Sequence, residues 1–197
     1  MKICVYGASS KTIDKKYVLA VEALGELLAK RGHSLVFGGG ATGCMGAAAR
    51  GVKRGGGKEI LGIAPGFFNV DGILSPDCTD FIYTNDMRER KGLFEEKSDA
   101  FIITPGGIGT YDEFFEILTQ KQLGQLKKPI AIYNIDGFFA PLLALLNQCV
   151  EGDFMNSASM QLFKVFSSAE EMFSYLENYV HVDTDLTVFK DVNRNIK

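Results

Sequence analysis

The sequence predicts a single α/β domain with a Rossmann-like fold, which is a doubly wound parallel sheet with helices on both faces. Short apolar runs alternate along the chain with longer stretches of helical period. Several of these runs lack polar alternation, as strands covered on both faces do. The 197 residues, 46% of them hydrophobic, are enough for one core without disulfides or metals. The alternation of strands with helices implies right-handed crossovers between parallel strands.

Six strands are predicted, each ending in Gly, Ser, Thr or Asn or close to one. They occupy residues 2–6, 34–37, 59–64, 80–83, 100–103 and 129–133. The first helix is predicted from Tyr17, Val21, Leu24 and Leu28, which recur at helical spacing, and Gly32 marks its end. Further helices are predicted at 44–54, 86–97, 110–123, 138–150 and 169–179.

The end of the chain differs from the rest. Residues 181–197 are polar and lack clear periodicity, so they predict a surface tail or arm. The predicted Rossmann-like domain therefore covers residues 1–180. Neither an internal repeat nor a low-complexity linker is evident.

Composition and charge exclude several classes of protein. The 21 basic and 24 acidic residues give a net charge of -3, which argues against nucleic acid as a partner because that binding needs clustered cations. No apolar run reaches the roughly 20 residues of a membrane span, and no leader pattern is present, so we expect a cytoplasmic protein without a membrane partner. Four cysteines without a CxxC pair fit a reducing compartment. The two histidines form no ligand-spaced cluster, so no metal is expected.

Three unusual loops follow predicted strands. They are GASS at 7–10, GGGATGCMG at 38–46 and TPGGIGTYDEFFE at 104–116. Because ligands of an open parallel sheet bind at the carboxyl ends of its strands, these loops are the candidate site.

The loop at 104–116 has the composition of a phosphate cradle. Gly106, Gly107 and Gly109 leave backbone N–H groups accessible, and Thr110 is predicted to open a helix whose positive end faces the same point. Another interpretation is open: the glycines form a tight turn, and Thr110 with Glu113 forms a capping box that needs no ligand.

The loop at 38–46 resembles a dinucleotide fingerprint only loosely. That fingerprint belongs after the first strand, where this chain has GASS. NAD binding is therefore not predicted. Neither loop contains the Lys-Ser/Thr pair of a P-loop, so ATP hydrolysis is not predicted either. The sequence also offers no recognisable lysine with pyridoxal-phosphate partners, and we expect no cofactor.

The segment NDMRERKGLFEE at 85–96 places cations at a predicted helix start, where the helix dipole disfavours them. Arg88, Arg90 and Lys91 either face an anionic ligand or belong to a solvated surface. In the second case three acids of the same segment would neutralise them, namely Glu89, Glu95 and Glu96.

Taken together, these motifs resemble the LOG family of cytokinin riboside 5'-monophosphate phosphoribohydrolases, often mislabelled lysine decarboxylases. The matching segments are GASS at 7–10, LGELLAKRGHSLVFGGGATGCMGAAA at 24–49, MRERK at 87–91, PGGIGTYDE at 105–113, QLGQLKKPI at 122–130 and NIDGFF at 134–139. The combination of M-x-x-R-K with P-G-G-x-G-T-x-x-E is more specific than any single glycine loop.

The resemblance implies a hydrolase of the EC 3.2.2 type that cleaves the N-glycosidic bond of an adenosine-type 5'-monophosphate. It implies Arg90 and Glu113 as catalytic residues and a homodimer with the site near its interface. It also implies a set of substrate-binding residues, which are Ser9, Gly39, Gly40, Gly43, Met87, Lys91, Gly106, Gly107, Gly109 and Thr110. The chain departs from the common family pattern at four positions and in its first loop, ASSK, so the resemblance specifies the phosphate and ribose contacts rather than the base. The four positions are Cys44, Arg88, Gln120 and Leu126.

A second hypothesis is a nucleotide-binding or sensing module without catalysis, because the fold alone does not separate the two. A binder would need the glycine loops but not the carboxylate of Glu113, so the presence of both Arg90 and Glu113 favours the enzyme.

Overall fold

The computed structural model describes residues 1–70, 72–182 and 189. The described chain forms one parallel seven-stranded sheet with helices on both faces, which confirms the predicted Rossmann-like α/β fold. Most of the predicted tail at 181–197 lies outside the described residues. Phe189 is described, and it lies partly buried against the core.

The strands are β1 Lys2–Tyr6, β2 Ser34–Phe37, β3 Ile60–Pro65, β4 Asp80–Thr84, β5 Ala100–Ile103, β6 Ile130–Tyr133 and β7 Lys164–Phe166. The α-helices are α1 Lys15–Lys30, α2 Gly43–Arg54, α3 Met87–Lys97, α4 Ile108–Gln122, α5 Ala140–Glu151 and α6 Ala169–Glu177. Short 3₁₀ turns occur at Gly66–Phe68, Ile135–Gly137 and Ser157–Gln161. All six predicted strands are present, and β7 is an additional edge strand.

Two hydrophobic cores lie on opposite faces of the sheet. α1, α2 and α6 cover one face, and α3, α4 and α5 cover the other. α1 and α2 approach so closely that a Cβ added at Gly51 would lie 2.0 Å from the carbonyl oxygen of Glu22. The glycines and alanines of α2 therefore permit helix-to-helix contact as well as packing on the sheet.

The strand order is β4-β3-β2-β1-β5-β6-β7, with every pairing parallel. The chain runs from β1 outward to β4 and then crosses to β5 on the other side of β1. The loops that follow β1 and β5 consequently diverge to opposite faces, and this reversal opens a crevice at the carboxyl ends of the two strands. Within residues 1–70 and 72–182, no helix combines the length and apolar character that a bilayer crossing requires.

Candidate functional site

A cavity of about 570 Å³ lies at this reversal point. Its walls come from the loops after β1, β2, β3 and β5 and from the first turns of α2, α3 and α4. The lining residues are Gly7, Ala8, Ser9, Ser10, Lys11, Gly38, Gly40, Thr42, Met45, Phe68, Gly72, Ile73, Leu74, Met87, Arg90, Gly107, Gly109, Thr110 and Glu113.

Backbone hydrogen bonds join the three glycine loops of the cavity. The Ala8 N–H donates to the Pro105 carbonyl at 3.0 Å, and the Met45 N–H donates to the Ala8 carbonyl at 3.0 Å. The Thr104 hydroxyl, fully buried, donates to the Tyr6 carbonyl at 2.8 Å. The loop after β1 is thus fixed between the loops after β2 and β5.

The starts of α2 and α4 both reach the cavity, and neither has a side-chain cap. At α2, the Thr42 hydroxyl donates to the Ser9 carbonyl at 2.5 Å, and the Met45 N–H is already paired. At α4, the N-cap residue Gly107 provides no side-chain acceptor for the first-turn N–H groups. A Cβ added at Gly107 or Gly109 would meet nothing within 4 Å. The start of α4 therefore presents backbone donors and positive dipole potential to the cavity.

This geometry corrects the capping-box interpretation. α4 begins at Ile108, two residues earlier than predicted, so Thr110 lies inside the helix rather than at its N-cap. Glu113 is buried and its carboxylate accepts a hydrogen bond from Arg90 instead of closing on a backbone N–H. Both side chains line the cavity.

Arg90 and Glu113 form a buried ion pair between α3 and α4. Arg90 Nη1 lies 2.8 Å from Glu113 Oε1, and each side chain is only 8% exposed. Arg90 Nε donates to the Ile63 carbonyl at 3.0 Å, and its guanidinium lies 4.6 Å from the ring centroid of Phe94. A Cβ at Gly38 would lie 2.3 Å from Arg90 Nη2, so a larger residue at this position would displace the guanidinium.

Burial raises the pKa of Glu113 to about 7, although the neighbouring Arg90 acts to lower it. A carboxyl group with this pKa changes its charge near neutral pH, which suits a group that handles protons or developing positive charge. Among the described residues, no group of three or more His, Cys, Asp or Glu side chains is arranged to hold a metal ion.

The cations at the start of α3 do not share one environment. One faces the cavity, as the ligand interpretation requires, and another is exposed, as the surface interpretation requires. The Asp86 side chain accepts from the N–H groups of Arg88 and Glu89, which offsets positive charge at this helix end. Arg90 turns into the cavity, whereas Arg88 is exposed. Glu89 accepts from the Asn85 N–H at 2.7 Å rather than neutralising a cation.

Lys91 is directed away from the cavity. Its Nζ pairs with Glu116 and lies 3.3 Å from Asp112, and both acids belong to α4. The acids that balance this lysine thus come from the neighbouring helix, not from its own segment as the surface interpretation required.

The structure brings eight of the predicted site residues together as lining residues. They are Ser9, Gly40, Met87, Arg90, Gly107, Gly109, Thr110 and Glu113. The other four, which are Gly39, Gly43, Gly106 and Lys91, are absent from the lining.

Each of the three glycines outside the lining has a packing role instead. Gly39 has a φ of 73° and faces the ring of Phe81, and Gly43 has a φ of 64° and packs on the Ala8 carbonyl. A Cβ at Gly106 would lie 2.1 Å from the Thr110 hydroxyl oxygen.

Sequence reasoning missed one wall of the cavity, which is the segment that follows β3. The Ala41 N–H donates to the Ile73 carbonyl at 2.9 Å, and the Ser75 N–H donates to the Gly39 carbonyl at 2.7 Å. This segment adds Phe68, Ile73 and Leu74 to the lining and makes that wall apolar. Consecutive phenylalanines in a glycine-bounded loop were the available signal. Lys11, Thr42 and Met45 were also missed as lining residues.

The fold and the cavity define a class: a Rossmann-like protein with a cleft at the reversal point of its sheet, an open helix start on one wall and a buried arginine–glutamate pair beside it. A family profile described as possible lysine decarboxylase matches residues 45–176. The cytokinin riboside 5'-monophosphate phosphoribohydrolase LOG of Oryza sativa subsp. japonica is 35% identical over 179 residues, covering 91% of this chain and 74% of the relative. A cytokinin riboside 5'-monophosphate phosphoribohydrolase of Arabidopsis thaliana is 34% identical over 179 residues, covering 91% and 84%.

The chain therefore belongs to the LOG family, and the family resemblance inferred from its motifs is confirmed. Among solved structures, the molybdenum cofactor carrier protein from Chlamydomonas reinhardtii superimposes with a TM-score of 0.68 at 22% identity, covering 89% of this chain and 95% of that one. At this identity the likeness shows a shared fold.

Proposed function

We propose that this protein is a phosphoribohydrolase that cleaves the N-glycosidic bond of an adenosine-type nucleoside 5'-monophosphate, with or without an N6 substituent. Water adds to the anomeric carbon as the C1'–N bond breaks, and the bonding electron pair leaves with the base nitrogen, which takes up a proton. The products are ribose 5-phosphate and the free base. The observation that carries the proposal is the buried Arg90–Glu113 pair facing the same cavity as the open start of α4. The names of the relatives support the same class of reaction.

The phosphate is proposed to bind at the start of α4. Amide groups of residues 107–110 are unopposed by a side-chain cap there, and the helix dipole favours an anion. Ser9 and Thr110 line the same space and carry hydroxyl groups. Binding energy gained at the phosphate, which does not react, can hold the sugar in position for attack.

Glu113 is proposed to act at the sugar. The transition state has oxocarbenium character, so an adjacent carboxylate stabilises its positive charge and can orient the ribose hydroxyls or the attacking water. Arg90 is proposed to favour the ionised form of Glu113 against the effect of burial, and to anchor the nucleotide or assist the leaving base. The apolar wall formed by Phe68, Ile73 and Leu74 suits a purine ring. No cofactor enters the proposal.

The remaining proposals concern assembly and compartment. We infer a homodimer, with support from apolar side chains exposed near the cavity, including Phe67 at 63% and Ile108 at 89%. We also infer a cytoplasmic location, with support from four cysteines that are all free.

The test of the reaction is release of free base from AMP and from N6-isopentenyl-AMP by the purified protein. Glu113→Gln keeps the shape of the side chain but removes its charge, and we expect kcat to fall by at least about a hundredfold. Arg90→Ala should reduce the rate to a similar extent. Glu96→Gln is the matched control, because Glu96 is an exposed α3 carboxylate that pairs with Lys97 outside the cavity.

Two outcomes would contradict the proposal. One is a wild-type protein that releases no base from any nucleoside monophosphate; the other is a Glu113→Gln variant with full activity. If AMP stays intact but raises the melting temperature, the protein is a nucleotide binder without catalysis.

A further inference from the structure

Three charged residues of the described chain line the cavity, and two of them are already paired with each other. The third is Lys11, in the loop between β1 and α1. Its side chain is exposed and makes no ion pair or hydrogen bond with any residue that the structure describes. Lys16, five positions further along, is by contrast paired with Asp136.

Without Lys11, the positive charge available in the cavity is smaller than the negative charge of a phosphomonoester. Such a group carries a charge of about -1.5 to -2 at neutral pH. The starts of α2 and α4, which both reach the cavity, each supply the equivalent of about half a positive charge. The charge of Arg90 is offset by Glu113 whenever that carboxyl group is ionised, and the guanidinium is already engaged by Glu113 and by the Ile63 carbonyl.

The backbone that carries Lys11 is close to the open start of α4. The same loop is bonded to the loop after β5 through the Ala8 N–H and the Pro105 carbonyl, at 3.0 Å. Lys11 and the α4 residues Gly107 and Gly109 line one cavity. A flexible lysine stem on a fixed loop can bring its ammonium group to an anion without reorganising the cavity.

We propose that Lys11 binds the 5'-phosphate of the substrate. This proposal rests on the proposed function. Lys11 acts on a part of the substrate that does not react, so it contributes to substrate affinity in the ground state and the transition state alike. Its contribution appears in KM and in the affinity for ribose 5-phosphate, and not in kcat.

The experiment compares Lys11→Gln, Lys11→Arg and the matched control Lys15→Gln. Lys15 is an exposed lysine four positions away that does not line the cavity, so both glutamine variants change the net charge equally. Steady-state kinetics with AMP and calorimetric titration with ribose 5-phosphate are measured at low and at high salt. We expect Lys11→Gln to raise the KM for AMP and the Kd for ribose 5-phosphate by about three- to tenfold at low salt, with kcat almost unchanged. Lys11→Arg and Lys15→Gln should stay close to the wild type, and the difference should shrink at high salt.

The outcomes separate this inference from the proposed function. If the wild type releases base but Lys11→Gln keeps the wild-type KM and Kd, the Lys11 inference is wrong and the hydrolase stands. If Lys15→Gln weakens binding as much as Lys11→Gln, the effect is one of overall charge and the inference is also wrong. If ribose 5-phosphate binds through Lys11 but no base is released, the hydrolase fails and the phosphate contact stands.

Discussion

At the scale of single residues, the pair of Arg90 and Glu113 subjects one carboxyl group to two opposing effects. Burial disfavours its ionised form, and the guanidinium 2.8 Å away favours it. The balance leaves the pKa raised, at about 7. The side chain of Phe94, beneath the guanidinium, and the Ile63 carbonyl beside it hold Arg90 in the geometry on which this balance depends.

The raised pKa predicts a pH dependence of the reaction. If the ionised carboxylate is the active form, kcat/KM with AMP should rise with pH and level off above a midpoint of about 7. Substitution of Arg90 by Gln removes the cation that lowers the pKa of Glu113, so the midpoint of the remaining activity should move to higher pH. The substrate phosphate itself has a pKa of about 6. The pH dependence of ribose 5-phosphate binding is therefore measured in parallel, to separate titration of the phosphate from titration of Glu113. A midpoint at the ordinary carboxyl value, near 4.5, would contradict the assignment.

At the scale of elements, the first turn of α4 affects both the stability of the helix and the proposed binding of the phosphate. A single substitution can separate these two effects. Gly109 lies within the helix, and an added Cβ would meet nothing within 4 Å. Alanine at a helix position is more favourable than glycine by about 0.8–1 kcal/mol. The same methyl group would stand at the cavity wall beside the amide donors.

We therefore expect Gly109→Ala to raise the free energy of unfolding by up to about 1 kcal/mol while it weakens binding of the substrate phosphate. Urea denaturation and the KM for AMP give the two readouts. Gly92→Ala is the control, because Gly92 lies in α3 outside the cavity with nothing within 4 Å of an added Cβ, and it should gain stability without loss of affinity. Unchanged substrate affinity in Gly109→Ala would argue against an anion site at the start of α4.

Particular elements show why the sequence predicted most of the fold. β1, β2 and β5 were predicted with their observed bounds, because each is a short apolar run with clear ends. β7 escaped prediction because it has three residues and remains largely exposed at the sheet edge, so it lacks an apolar signature. The predicted start of α4 is two residues late, because Thr110 and Glu113 match the pattern of a capping box. In the structure, burial and the ion pair with Arg90 determine the orientation of the Glu113 side chain instead.

Site residues that belong to a sequence motif could be predicted. Residues that only the chain topology brings into the cavity could not. Arg90 and Glu113 lie 23 residues apart in sequence and belong to separate motifs, yet they meet in the cavity. Lys91 shares a motif with Arg90 but, one residue further along the helix, faces the acids of α4. Phe68 and Ile73 enter the lining only because their segment returns to pair with the loop after β2. No spacing rule anticipates such a return.

At the scale of the whole molecule, exposed apolar side chains predict self-association. Light scattering after size exclusion should give twice the mass of one chain at micromolar concentration. Phe67→Asp should shift this equilibrium toward monomer, because Phe67 is exposed beside the cavity wall that Phe68 lines. Phe154→Asp is the control, since Phe154 is 88% exposed in the loop that follows α5, outside the cavity lining. A wild type that remains monomeric would contradict the inferred dimer.

The bonding between the loops also determines where the protein can be re-engineered. Because the loop after β1 is bonded through Ala8 both to Pro105 and to Met45, an insertion in any one of the three glycine loops would displace the other two. The segment that follows β3 meets this assembly mainly through Leu74, Ile73 and Ser75. Directed evolution of a new base preference should therefore randomise residues 66–70 first, and leave the glycine loops and the bonded residues 73–75 as they are.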